Sequence, residues 1–104
     1  MKKQTQAIHT QFQRPDAYSS LSMPVYHTAA YEFSDAVSMT DAFCGRTDDP
    51  DYSRVMNPTV TFFENKVRAL TGATDVIALS SGMAAISNAL LAVAEAGQKI
   101  VTSR

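Results

Sequence analysis

The stretch ATDVIALSSGMAAISNALL, residues 73–91, determines the predicted fold class. Asp75–Leu79 is short and apolar and includes β-branched residues, which is typical of a buried strand. Ser81 can cap a following helix that runs from Met83 to about Glu95. Lys99–Thr102 then has the pattern of a second strand. Strand, helix, strand is the unit of a parallel sheet covered by helices, so the sequence predicts an α/β fold.

The predicted helix is rich in alanine and apolar on nearly all sides. A helix of this kind is normally covered by other elements, so we expect it to be buried and closely packed. Gly97 is predicted to end it as a C-terminal glycine.

The turn at Ser81 and Gly82 has the parts of an anion site. The start of a helix presents unpaired N–H groups and a partial positive charge. Gly82 has no side chain to keep an anion from the backbone, and Ser81 adds a hydroxyl. Ligands of α/β sheets bind at the carboxyl ends of strands, so the turn is a candidate phosphate site. The alternative is a plain helix cap. No G-x-G-x-x-G or G-K-[ST] pattern supports NAD or P-loop chemistry.

Residues 1–57 show no sustained helical or alternating pattern, and their apolar residues are scattered and often aromatic. A short helix is predicted over Val37–Phe43, with Ser34 or Asp35 as its cap. A long irregular arm of this kind is expected to wrap another surface.

A firm helix is predicted after this arm. Asn57 can cap it, Pro58 suits its first turn, and Gly72 can end it. Its apolar stripe consists of Val60, Phe63, Val67 and Leu70.

Tyr52 and Arg54 form the second candidate site. Two residues apart in an extended segment, their side chains are expected to point the same way. A guanidinium group can bind a phosphate through two hydrogen bonds, and a phenol can donate alongside it. The alternative is a surface arginine beside a packed tyrosine.

Composition and charge limit the possible partners and compartments. The 104 residues carry a net charge of −1 without a basic block, which argues against nucleic acid and anionic membranes as partners. The longest strongly apolar stretch, near 86–94, is too short to span a bilayer. The single cysteine and an N-terminus without an apolar signal favour the cytoplasm. His9, His27 and Cys44 form no cluster of metal ligands in the sequence, so no metal site is expected.

Four motifs, in this order and spacing, resemble the Cys/Met-metabolism family of pyridoxal 5'-phosphate (PLP) enzymes. They are Pro24–Thr28, Tyr52–Thr59, Glu64 and Ser81–Ala85, and the likeness runs from about Thr5 to the last residue. The family includes O-acetylhomoserine sulfhydrylase, cystathionine γ-synthase, the cystathionine lyases and methionine γ-lyase. The resemblance implies PLP as the cofactor and a small amino acid as the substrate.

The resemblance also assigns the candidate residues. The backbone N–H groups of Gly82 and Met83 would hold the PLP phosphate, while Tyr52 and Arg54 would reach it from the neighbouring subunit of a homo-oligomer, a dimer of dimers. Residues 1–57 would be an arm that packs on the partner. Residues 58–104 would begin the large domain of a fold type I (aspartate aminotransferase-like) transferase.

In that domain the first strand pairs with later strands, so the two predicted strands are not expected to be neighbours. Glu64 is interpreted as a structural ion-pair partner.

The implied activity is γ-replacement on an activated homoserine, as in O-acetylhomoserine sulfhydrylase. Arg54–Thr59 and Glu95–Ser103 favour that branch, whereas Ser81–Met83 is more typical of the γ-synthases and γ-lyases, so methionine γ-lyase and cystathionine γ-synthase or lyase stay alternatives.

No lysine here has the setting of the cofactor-carrying lysine of the family, so the segment contains no catalytic residue and is predicted to be inactive alone. Two other readings stay open: a truncated, non-catalytic chain that docks on a full-length subunit, and a small nucleotide-binding module.

Overall fold

The computed structural model describes residues 2–10 and 18–103. Residues 11–17, which belong to the predicted arm, and both terminal residues lie outside this range. The described residues contain four helices: α1 (Lys3–His9), α2 (Ala36–Phe43), α3 (Pro58–Thr71) and α4 (Gly82–Val93). None of them is long and apolar enough to cross a membrane.

Helix α3 confirms the helix predicted after Asn57. The Asn57 side chain accepts a hydrogen bond from the Thr59 amide (2.9 Å), and Pro58 occupies the first turn. At the other end Gly72 adopts a left-handed conformation (φ 74°), and its amide donates to the carbonyl of Arg68. Both ends are formed by local hydrogen bonds, which explains why residue types at fixed spacing could predict them.

Helix α2 confirms the short helix predicted in the arm, and Asp35 rather than Ser34 is its cap. Asp35 Oδ1 accepts from the Ser38 amide at 2.8 Å, and Ser34 Oγ donates to the other carboxylate oxygen at 3.2 Å. The bond from the Ser38 amide, followed by that from the Ser38 hydroxyl, holds the pKa of Asp35 below its usual value. The charged carboxylate is therefore the form that caps the helix.

Helix α1 contradicts the prediction that residues 1–57 lack helical structure beyond α2. Its seven residues include no capping side chain at the N-terminus, and a helix this short is marginal by itself. The helix packs against α3, where Gln6 Nε2 donates to the carbonyl of Ala69 at 2.6 Å. The start of the arm thus lies on its own chain.

Helix α4 has the predicted cap, Ser81, but begins at Gly82, one residue before the predicted start, and ends earlier than predicted. Ala94 leaves helical geometry (φ −128°, ψ 133°), whereas the helix was expected to continue to about Glu95. Gly97 does not end the helix: it has φ 91° in a separate turn, in which the Gln98 amide donates to the Glu95 carbonyl and Gln98 Oε1 accepts from the Glu95 amide. Glu95 and Gln98 thus bond each other in this turn, which takes the place of one more turn of α4.

The two predicted strands are not formed in the described part of the chain. Asp75–Leu79 and Lys99–Thr102 have no strand assignment, and the β-pairing there is a single antiparallel bridge between Ala30 and Tyr52. A strand persists when a neighbouring strand takes up its N–H and C=O groups. Because neither segment is a strand here, the expectation that the two are not neighbours in a sheet stays a prediction. The α/β assignment rests on the family reported below.

The expected burial of α4 is also not observed. Every residue of α4 is exposed except the half-buried Ala84, and the helix packs on none of the other three. Ala42 and Asn57 are the buried residues of the described chain. The total accessible surface is 8954 Å², whereas a compact protein of this mass exposes about 5,700 Å². The radius of gyration is 17.6 Å, against about 13 Å for a compact domain of this length.

Candidate functional site

The start of α4 leaves two backbone amides free at the positions predicted to bind phosphate. Ser81 Oγ accepts from the Ala84 amide at 3.1 Å, and the Ser81 carbonyl accepts from the Ala85 amide at 3.1 Å. Among the described residues, the amides of Gly82 and Met83 have no acceptor. The serine thus caps the helix, and two donors at the positive end of the helix stay available to an anion.

Nothing in the described structure around Gly82 requires a glycine at this position. A Cβ built on Gly82 would meet nothing within 4 Å, and its φ is not in the left-handed region. Neither crowding by the described residues nor backbone conformation therefore explains the glycine. The open space at this position is what an anion needs to approach the two amides.

Tyr52 and Arg54 lie close together, but through a turn and not through the predicted extended segment. The amides of Val55 and Met56 both donate to the Tyr52 carbonyl, at 2.8 and 2.9 Å. The guanidinium carbon of Arg54 lies 5.3 Å from the centroid of the Tyr52 ring, a cation–π distance. Both side chains are exposed. Within the described chain Arg54 makes no hydrogen bond or ion pair, so its five N–H donors are unpaired there.

The turn that carries this pair is attached to the arm by polar contacts at Ser53 and Asn57. The Ser53 amide donates to the Ala29 carbonyl at 3.0 Å, and the Ser53 hydroxyl donates to the carbonyl of Thr28. Asn57 Nδ2 donates to Ser53 Oγ and to the Tyr26 carbonyl, both at 3.1 Å. The motif around Tyr26 is therefore part of the support for the Tyr52–Arg54 turn, a relation that linear spacing does not reveal.

Thr59 completes this attachment. Its Oγ1 accepts from the Tyr26 amide at 2.9 Å and lies 3.4 Å from the Pro24 carbonyl. The motifs Pro24–Thr28 and Tyr52–Thr59, which are separate in the sequence, are one structural unit.

Glu64 does not form the ion pair that was predicted for it. The one ion pair in the described residues joins Arg46 and Asp41 at 2.8 Å. Glu64 Oε1 instead accepts from the backbone amide of Ala78 at 2.7 Å. This half-buried carboxylate ties α3 to the segment that leads into Ser81, and so helps to locate the start of α4.

The described residues contain no group of three His, Cys, Asp or Glu side chains able to hold a metal ion. Cys44 is exposed and forms no disulfide in the described chain, and it lies at the C-terminal end of α2. No hydrogen bond or ring contact in the described chain joins Tyr52 or Arg54 to the start of α4. The two candidate half-sites are therefore separate features of one chain.

Unpaired amides at the start of a helix and an exposed arginine are groups that can bind a phosphate. The chain belongs to the Cys/Met metabolism PLP-dependent enzyme family, whose sequence profile matches residues 4–104. PLP is the cofactor of that family, and unpaired amides and an exposed guanidinium group can hydrogen-bond to its phosphate. The resemblance inferred from the motifs is thereby confirmed.

Similar proteins include enzymes with two kinds of activity. O-acetyl-L-homoserine sulfhydrylase of Corynebacterium glutamicum is 41% identical over 101 residues, which is 96% of this chain and 23% of that protein. L-methionine gamma-lyase of Fusobacterium nucleatum subsp. nucleatum is 39% identical over 100 residues, 96% of this chain and 25% of that protein. O-acetyl-L-homoserine sulfhydrylase of Leptospira meyeri is 36% identical over 102 residues, 98% of this chain and 23% of that protein. The chain thus spans about a quarter of the length of the relatives it matches.

Proposed function

We propose that this chain is the N-terminal part of a PLP-dependent enzyme of sulfur amino-acid metabolism that performs γ-replacement on an activated homoserine. Family membership over residues 4–104 and the similarity to two O-acetyl-L-homoserine sulfhydrylases support this. Methionine γ-lyase is the alternative, supported by 39% identity to the Fusobacterium enzyme. Cystathionine γ-synthase or lyase activity is the further alternative within the family.

The residues proposed to hold the PLP phosphate are Gly82 and Met83 through their amides, and Tyr52 and Arg54 through their side chains. The observation that carries this proposal is the pair of amides without an acceptor at the start of α4, together with the lack of any atom within 4 Å of a Cβ built on Gly82. The side chain of Met83 is 67% exposed, so its proposed contribution is the backbone N–H group. Tyr52 and Arg54 are proposed to act on the partner subunit, as the family resemblance implies. This fits the lack of any hydrogen bond or ring contact between them and the start of α4 among the described residues.

When bound, PLP supplies an electron sink that stabilises negative charge developing at the substrate Cα. The proposed task of the four residues of this chain is to bind the phosphate and thereby fix the orientation of the ring. No proton transfer is assigned to them. No lysine of the segment is proposed to carry the cofactor, and the segment by itself is proposed to be inactive.

We further propose a cytoplasmic homotetramer, a dimer of dimers, in which residues 1–57 pack on the partner through the surface that their contacts with α3 leave exposed. Residues 58–104 are proposed to begin the large domain. The exposed surface of 8954 Å², about 3,000 Å² more than a compact protein of this mass exposes, leaves room for packing against further polypeptide. A second candidate, of another class, is a non-catalytic chain that docks on a full-length subunit and offers Tyr52 and Arg54 to its site. The intact mass of the protein from its native source distinguishes the two.

The test is the PLP affinity of an Arg54→Ala variant of the complete protein, measured by titrating the apoprotein with PLP. Loss of a charged contact to phosphate is worth about 1.5–3 kcal/mol, so the Kd is expected to rise about 13- to 160-fold. Arg46→Ala is the matched control, since it removes an exposed arginine that pairs only with Asp41 in the described chain. If Arg54→Ala binds PLP as tightly as Arg46→Ala and the parent, the assignment of Arg54 is wrong.

A further inference from the structure

Asn57 is buried, and its side chain makes more hydrogen bonds than the capping of α3 requires. It is 8% exposed, and it is the buried polar residue of the described chain. Capping of α3 uses only Oδ1, which accepts from the Thr59 amide. The amide nitrogen Nδ2 makes two further bonds, to Ser53 Oγ and to the Tyr26 carbonyl. Serine and threonine cap helices through a single hydroxyl, and aspartate through acceptor oxygens, so none of them has a separate NH2 group with two donors.

Ser53 lies between Tyr52 and Arg54, in the middle of the turn that presents them. Its hydroxyl donates to the Thr28 carbonyl, accepts from Asn57 Nδ2 and lies 3.1 Å from the hydroxyl of Tyr31. The turn is therefore held on one side by the arm and on the other by the cap of α3. Arg54 has no polar contact of its own in the described chain, so the backbone of this turn sets where its guanidinium group can reach.

We propose that Asn57 and Ser53 are positioning residues that fix the turn so that Tyr52 and Arg54 are presented together to the PLP phosphate. This inference rests on the proposed function of those two residues. A long arginine side chain on a loose turn would lose conformational entropy on binding its anion, and a preformed turn reduces that loss. This hydrogen-bonded pair, Asn57 and Ser53, is called the clamp below. It is proposed to raise the affinity for PLP by holding Tyr52 and Arg54 in place, without itself contacting PLP.

Two variants of the complete protein remove the clamp in different ways. Asn57→Ser keeps a neutral capping oxygen for α3 and loses the Nδ2 donor. Ser53→Ala keeps the backbone of the turn and loses the hydroxyl. Each is expected to raise the Kd for PLP about 2- to 13-fold, the equivalent of one neutral hydrogen bond. Ser38→Ala is the matched control, because it removes a serine hydroxyl from the cap of α2 and is expected to leave the Kd unchanged.

Two further measurements separate positioning from general structural damage. Pyridoxal, which lacks the phosphate, is titrated in parallel, and its affinity is expected to be the same in parent and clamp variants. The clamp variants are also made in a Tyr52→Phe, Arg54→Ala background, where their effect on PLP affinity is expected to vanish. An effect that persists there, an equal loss for pyridoxal, or no loss of PLP affinity in either clamp variant overturns the inference. If Arg54→Ala alone leaves PLP affinity unchanged, the proposed function of Arg54 fails first, so the two failures are distinguishable.

Discussion

Replacing Glu64 with alanine is expected to release the segment that leads into the start of α4. Glu64 Oε1 accepts from the Ala78 amide at 2.7 Å, in a half-buried position, and Ala78 lies three residues before Ser81. A hydrogen bond to a charged group contributes about 1.5–3 kcal/mol net. Because exchange of a protected amide reports the free energy of local opening, hydrogen exchange at Ala78 is expected to accelerate about 13- to 160-fold.

The measurement is hydrogen exchange of the complete protein, resolved to a peptide covering residues 75–80. Glu64→Gln keeps a neutral acceptor, worth about 0.5–1.5 kcal/mol, so its exchange rate is expected to fall between those of the parent and Glu64→Ala. Glu32→Ala is the control, since the exposed Glu32 makes no hydrogen bond or ion pair in the described chain. Unchanged protection of Ala78 in Glu64→Ala would refute the idea that this carboxylate holds the segment in place.

Three other predictions follow from the same structure. Gly82→Val is expected to weaken PLP binding and to leave thermal stability near that of the parent, because a Cβ there meets nothing within 4 Å. Gly72→Ala is the control. Because Gly72 has φ 74°, the alanine is expected to lower stability by about 1–2 kcal/mol and to leave PLP binding unchanged. Unchanged PLP occupancy in Gly82→Val would count against the anion site. Acid is expected to loosen α2 as the pH falls through the lowered pKa of Asp35, because protonation removes the negative charge that strengthens the bond from the Ser38 amide. Asp35→Asn, whose acceptor oxygen does not titrate, should remove this pH dependence of exchange at Ser38, and equal pH dependence in both proteins would contradict it. The polypeptide 1–104 alone is expected to unfold in urea without a cooperative transition, because it exposes 8954 Å² where a compact protein exposes about 5,700 Å²; a sharp two-state transition with coincident probes would disprove this.

The sequence allowed the starts of α2, α3 and α4 and the end of α3 to be predicted because their hydrogen bonds are local. The side chains of Asp35, Asn57 and Ser81 each accept from an amide two or three residues ahead, and Gly72 provides the left-handed residue after α3. Each interaction needs only a residue type at a fixed spacing. The motifs also predicted the family over nearly the whole chain, which the profile match over residues 4–104 confirms. The roles of Tyr52, Arg54, Gly82 and Met83 stay predictions.

The features that sequence analysis missed depend on contacts between distant segments. Helix α1 has little to hold it except its contact with α3, in which Gln6 bonds a residue 63 positions away. The two predicted strands had the right composition, but a strand needs a neighbour, and the described chain supplies none for either segment. Composition also predicted a buried α4, although burial depends on what packs against a helix and not on the helix alone.

By itself the sequence determined where three helices begin, which residues carry the family motifs and which amides at Gly82 and Met83 are left free, because these depend on bonds within a few residues. The tertiary structure decided how the motifs are combined. It brought Pro24–Thr28 against Tyr52–Thr59 and directed Glu64 to a backbone amide instead of a cation. Such choices depend on the relative placement of segments 14 to 35 residues apart. That placement results from many weak contacts formed together, and no single residue type or spacing specifies it.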